Sequence, residues 1–63
     1  MKLYIPLPGV FKFQPLFDDS EYLQSALEQD TRTMSVWYLK EGVDIGRLKE
    51  VLNEYKIKYR LKK

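Results

Sequence analysis

The apolar positions of this 63-residue chain follow two spacings, and the switches between them predict its elements. Thr33-Met34-Ser35-Val36-Trp37-Tyr38-Leu39 is rich in β-branched and aromatic residues, has no Gly or Pro, and is bounded by charged or turn-prone residues. That pattern predicts a central strand. Lys2-Leu3-Tyr4-Ile5 suits a short strand with Leu3 and Ile5 inward. Pro6-Leu7-Pro8-Gly9 must turn or run extended, and Pro8-Gly9 fits the central pair of a type II turn. Val10-Phe11-Lys12-Phe13 alternates again. A hairpin of residues 2–5 against 10–13 is the preferred reading, and a single bent strand with a proline-containing loop is the other.

Helical spacing appears twice. After a connector at Gln14-Pro15-Leu16-Phe17, Asp18 stands as an N-cap with Glu21 three residues on, an Asp version of the capping box. Phe17 and Tyr22 can pack as a hydrophobic staple, and Tyr22, Leu23, Ala26 and Leu27 form one apolar stripe. This helix should end near Gln29-Asp30. A second helix, roughly residues 45–55, follows from Ile45, Leu48, Leu52 and Tyr55 at i, i+3, i+7 and i+10. Asp44 caps it, Val43 and Leu48 staple it, and Gly46 weakens only its first turn.

Residues 56–62 fit two states. As a strand, Ile57, Tyr59 and Leu61 share one face and the bases the other. As a helix extension, Tyr59 continues the stripe of Ile45, Leu48, Leu52 and Tyr55, but Ile57 and Leu61 are left exposed. The strand places every apolar residue and is preferred. The expected order is therefore β(β)αβαβ: an α+β domain of residues 1–63 with a three- or four-stranded sheet and two amphipathic helices packed on one face. The strands alternate rather than running solidly apolar, so the second sheet face should be open.

Which residues occupy that open face depends on how the central strand sits. If Met34, Val36 and Tyr38 face the helices, the open face holds Trp37, Leu39 and Tyr4 beside Lys2, Lys56, Lys58, Arg60 and Lys62. The opposite assignment buries Trp37 and Leu39 and exposes Met34, Val36 and Tyr38. In either case one face shows large apolar residues with no helix over them, and contiguous exposed apolar surface marks an interface.

Composition limits the alternatives. A chain this short buries only about 60% of its unfolded surface and leans on disulfides, metal, oligomerisation or a dense core. There is no Cys and no His, which removes disulfides and argues against zinc. One Trp, five Tyr and three Phe against three Gly and three Pro allow a dense core. No secretory signal and no apolar run of membrane-spanning length are visible, so the expectation is a cytoplasmic protein, in a host cytoplasm if phage-encoded, with no membrane association. Net charge is +2 but unevenly placed: +2 over residues 1–17, −5 over 18–30, 0 over 31–55 and +5 over 56–63. Such a dipolar surface can steer a partner or match a second copy of itself.

Candidate chemistry is sparse. Ser20, Ser25 and Ser35 have no base near them in sequence, and Asp18, Asp19 and Glu21 lack calcium-loop spacing and are explained by capping and the helix dipole. Gly42 and Gly46 lack the Lys-Ser/Thr that completes a phosphate-binding loop. These absences point away from an enzyme, and no catalytic, cofactor-binding or metal-binding residue is expected. Two binding readings remain. Lys56, Lys58, Arg60 and Lys62 on one strand face, at about 6.6–7 Å spacing, can track phosphates while Trp37 or Tyr4 stacks on bases. Edge-strand lysines also simply prevent aggregation, and the low net charge lacks the usual basic footprint of nucleic-acid binders. Trp and Tyr are enriched at protein-binding hot spots, although Tyr22, Tyr38, Tyr55 and Tyr59 fit as ordinary core residues with hydroxyls at the rim.

In size and composition the chain resembles the accessory proteins of phages and mobile elements that bind and inhibit a larger target. The expected function is a non-enzymatic interaction module for a protein partner, with homodimerisation open. A small nucleic-acid-binding protein is the alternative. The expected surface is Trp37, Leu39, Tyr4, Lys56, Lys58, Arg60 and Lys62.

Overall fold

Alternation and helical spacing compete along this chain, and the computed structural model, which describes residues 1–63, resolves the competition differently at its two ends. The elements are β1 (Lys2–Tyr4), α1 (Gly9–Asp19), α2 (Glu21–Ala26), β2 (Leu27–Gln29), β3 (Val36–Leu39), α3 (Ile45–Glu54) and β4 (Arg60–Lys62). Together they make a small α+β fold with three helices and a four-stranded sheet in the order β2-β3-β1-β4. Every neighbouring pair is antiparallel: Leu3 lies opposite Trp37 and Leu61, and Leu27 lies opposite Leu39.

The N-terminal half departs from the expected β(β)αβαβ order. Residues 10–13 are not a hairpin arm but the start of α1. Val10 and Phe13, with Phe17 one turn further on, sit at i, i+3 and i+7, so the same residues that alternate over four positions form a helical stripe over eight. Val10 and Phe13 are fully buried, whereas Phe11, Lys12 and Pro15 face solvent. Pro8, reached through a cis Leu7–Pro8 peptide, stands immediately before the helix, and its carbonyl accepts from Phe11 N–H at 3.0 Å.

The expected helix from Asp18 is also corrected. Asp18 lies in the last turn of α1, which ends at Asp19, and the N-cap of α2 is Ser20, whose Oγ accepts from Leu23 N–H at 3.1 Å. The Gln24 amide bridges the joint, donating to the carbonyls of Phe17 (3.0 Å) and Asp18 (2.7 Å). These carbonyls lie in the last turn of α1, where groups need donors from outside the helix ladder; Phe17 O also takes the Ser20 N–H at 3.4 Å. The helix stops at Ala26 rather than near Asp30, and Leu27–Gln29 pairs as an edge strand. The expected strand from Thr33 begins only at Val36, because residues 30–35 form the connecting hairpin loop.

The C-terminal half follows its pattern more closely. Asp44 caps α3 by accepting from Arg47 N–H at 3.2 Å, and Leu48 and Leu52 are fully buried. The core is one cluster of eleven residues, joining Leu3, Leu27 and Trp37 of the strands to Val10, Phe13, Leu23, Ala26, Leu48 and Leu52 of the helices, with Ile5 and Ile57 beside them. Phe13 meets Trp37 edge-on, centroids 4.7 Å apart at 81°, an arrangement worth about 0.5–1.5 kcal/mol beyond area burial.

Helix α3 ends in a Schellman motif. Lys56 N–H bonds Asn53 O and Ile57 N–H bonds Leu52 O, both at 3.0 Å, and buried Ile57 and Leu52 supply the accompanying apolar pair. The residue in the left-handed position is Lys56, at φ 57°, where a Cβ is penalised. Lys56→Gly should therefore raise stability by about 1 kcal/mol. Urea denaturation checks this, and unchanged or lowered stability would contradict it.

Candidate functional site

The sheet has one core face and one open face. Leu3, Leu27 and Trp37 point to the core. Alternation sends Lys2, Tyr4, Glu28, Val36, Tyr38, Arg60 and Lys62 to the other side, and none of these is buried. The register arranges them in two rows. Glu28, Tyr38, Lys2 and Lys62 lie side by side in one, and Val36, Tyr4 and Arg60 in the other.

Charge separates across these rows. On the β1–β4 side, Lys2, Arg60 and Lys62 surround Tyr4, and Lys62 Nζ lies 5.8 Å from the Tyr4 ring centroid. No carboxylate forms an ion pair with any of the three, since the one ion pair in the chain is Arg32 with Asp30. The basic surface continues past the end of β4. Lys12, Lys56 and Lys58 line a cleft of about 240 Å³ floored by Pro6, Leu7, Pro8 and Ile57.

The β2–β3 side is built around Asp30. Its Oδ1 accepts from Arg32 N–H at 2.8 Å and its Oδ2 from Tyr38 O–H at 2.9 Å, while the Arg32 guanidinium completes the pair at 3.3 Å. This Asx turn, with Thr33 Oγ1 accepting from Ser35 N–H at 3.3 Å, shapes the hairpin loop. The Arg32 backbone N–H, the Arg32 side chain and the Tyr38 hydroxyl all favour the ionised carboxylate and hold Asp30 at about 2, below the ordinary 3.8. Its contribution to stability is therefore complete above pH 3.8 and is lost as pH falls through about 2. Asp30→Asn should remove that part of the acid-side loss. Stability curves of the two proteins that run parallel across this interval would contradict it.

The expected surface is thus only partly assembled. Tyr4, Arg60 and Lys62 share the open face. Trp37 does not: it is 0% exposed and lies across the sheet from Tyr4, which corrects its assignment to the surface. Leu39 is half-buried on the Trp37 side of β3's neighbour pairing with Leu27 and packs against the core, a second correction. The expected row of four bases is broken, because β4 begins at Arg60; Lys56 terminates α3 and Lys58 borders the cleft beside it. Val36 and Tyr38 take the open face instead, as in the opposite assignment of the central strand, beside Lys2, which the alternation of Lys2-Leu3-Tyr4 places there with Tyr4.

The acidic residues Asp18, Asp19 and Glu21 lie at the α1–α2 joint, and no group of three or more carboxylates is placed to hold a metal ion. No helix is long and apolar enough to cross a membrane. The chain matches no protein-family model, no curated protein and no solved structure.

Proposed function

We propose that this chain is a non-enzymatic interaction module that binds a larger protein partner through its open sheet face. The observation that carries the reading is the unpaired basic cluster of Lys2, Arg60 and Lys62 around half-exposed Tyr4. An aromatic ring rimmed by uncompensated charge is a favourable anchor for an acidic surface. The same face carries Glu28 and the Asp30–Arg32 pair at its other side. A mixed field of this kind suits a protein surface of opposite polarity better than a uniformly negative phosphate backbone.

A photo-cross-linking amino acid at position 4, compared with one at position 49 on the exposed side of α3, tests the reading in nuclease-treated extract. The expected result is one protein adduct from position 4, absent from position 49 and lost on Arg60→Glu/Lys62→Glu. Equal adducts from both positions would overturn the assignment. Tyr4 flanked by bases also favours a second reading, single-stranded nucleic acid. It predicts retention on a single-stranded DNA column that falls steeply with salt.

A further inference from the structure

We infer that β4 is a docking edge, and that the partner adds an acidic extended segment to the sheet alongside Arg60–Lys62. This rests on the interaction-module reading and names its binding mode. The backbone pattern supplies the first argument. Ile5 N–H bonds Ser35 O at 2.9 Å and Leu39 N–H bonds Met1 O at 3.0 Å, so the odd-numbered residues of β1 direct their backbone groups to β3. Lys2 and Tyr4 therefore direct theirs to β4, where they face Lys62 and Arg60. In an antiparallel ladder, residues alternate between the two sides, so the N–H and C=O of Leu61 point away from β1. No strand follows β4 in the sheet order, and no backbone bond outside the ladder engages residues 58–63.

The side chains supply the second argument, and it selects the occupant. A strand laid along β4 would place alternate residues beside Arg60 and Lys62 on the open face, and the others beside half-buried Leu61 and Tyr59 on the core side. Acidic residues at the first set of positions and apolar residues at the second satisfy both rows. Lys58 and Lys63 extend the same basic border, and β4 has no carboxylate in ion-pair contact. The opposite edge is less open to such an addition. On β2, the backbone of Leu27 faces outward because Ala26 and Asp30 bond β3 and its neighbours, and its N–H is already taken by Leu23 O.

The test uses the full chain made by chemical synthesis, with and without N-methylation of the Leu61 backbone nitrogen. That change removes the outward donor and keeps every side chain. The probes are an alternating glutamate–valine decapeptide and a thymidine oligonucleotide of equal charge, each followed by fluorescence anisotropy, with circular dichroism to establish folding. The expected result is that the peptide binds the unmodified chain and that both N-methylation and Arg60→Glu/Lys62→Glu weaken it at least tenfold. Loss on charge reversal with no loss on N-methylation would overturn the edge and leave the open-face reading standing. Binding of the oligonucleotide and not the peptide would overturn both. Binding of neither, with the protein folded, would leave the lysines as edge protection only and overturn the inference. If the N-methylated chain fails to fold, hydrogen exchange of the Leu61 amide in the unmodified chain decides: protection on adding peptide supports pairing, and none excludes it.

Discussion

Trp37→Ala is expected to leave little or no folded protein at room temperature. The side chain is completely buried, meets Phe13 edge-on at 4.7 Å, and packs near Phe17 at 6.1 Å. Truncating a core Trp to Ala costs roughly 3–5 kcal/mol. A chain of this length has about 3–9 kcal/mol in total at 0.05–0.15 kcal/mol per residue. Trp37→Phe should behave very differently. The indole Nε1–H is buried without a hydrogen-bond partner, and such a donor costs about 1–3 kcal/mol. Phe loses part of the packing and removes that penalty, so the variant should lie within about 1 kcal/mol of the parent. Urea denaturation followed by circular dichroism separates the cases. A Phe variant as unstable as the Ala variant would show that the indole N–H is engaged in the native protein.

The same residue marks how far the fold was legible. That a strand lies within 33–39 and a capped helix within 45–55 followed from local pattern, because propensity, period and capping agree there, and the structure trims them to 36–39 and 45–54. The first half was misread where two periods overlap. Over Val10–Phe13 an alternation of four residues cannot be told from the first turn of a helix, and the segment read as a connector, Gln14-Pro15-Leu16-Phe17, is helical with Pro15 facing solvent. The Asp18–Glu21 spacing imitates a capping box, but Ser20 lies between them and caps instead. Leu27–Gln29 extends a helical stripe, and only pairing with β3, a long-range contact, makes it a strand.

The candidate site was legible by residue type and not by location. Tyr4, Arg60 and Lys62 were recognisable as solvent-facing residues on strands, but the company they keep depends on register. Leu3 pairs opposite Trp37, so Trp37 and Tyr4 sit on opposite faces. No alternation within a single strand could establish that, because shifting the pairing by one residue exchanges the two faces entirely. Asp30 was visible only as a charge. Its role in ordering the hairpin comes from four donors converging on it, three of them from Arg32 two positions on and one from Tyr38 across the pair.

Pro15→Ala is expected to stabilise the protein, by about 2 kcal/mol, without altering the open face. Pro15 is the seventh residue of the eleven-residue α1, where it has no N–H to offer Phe11 O. An interior proline is about 3 kcal/mol less favourable than alanine in a helix. Part of that is offset because proline also restricts the unfolded chain, an effect of about 0.4–1 kcal/mol. The helix tolerates the defect because Phe11 and Pro15 both face solvent while Val10 and Phe13 hold the buried side. Water can thus reach the carbonyl that lacks its partner. At about 4–8 °C per kcal/mol for a domain of this size, the midpoint of thermal unfolding should rise by roughly 8–16 °C. The binding proposed for Tyr4, Arg60 and Lys62 should be unchanged, since none of them belongs to α1. A lowered midpoint would show that the proline ring itself holds the helix in place, and that the packing of Phe13 and Phe17 onto Trp37 depends on it.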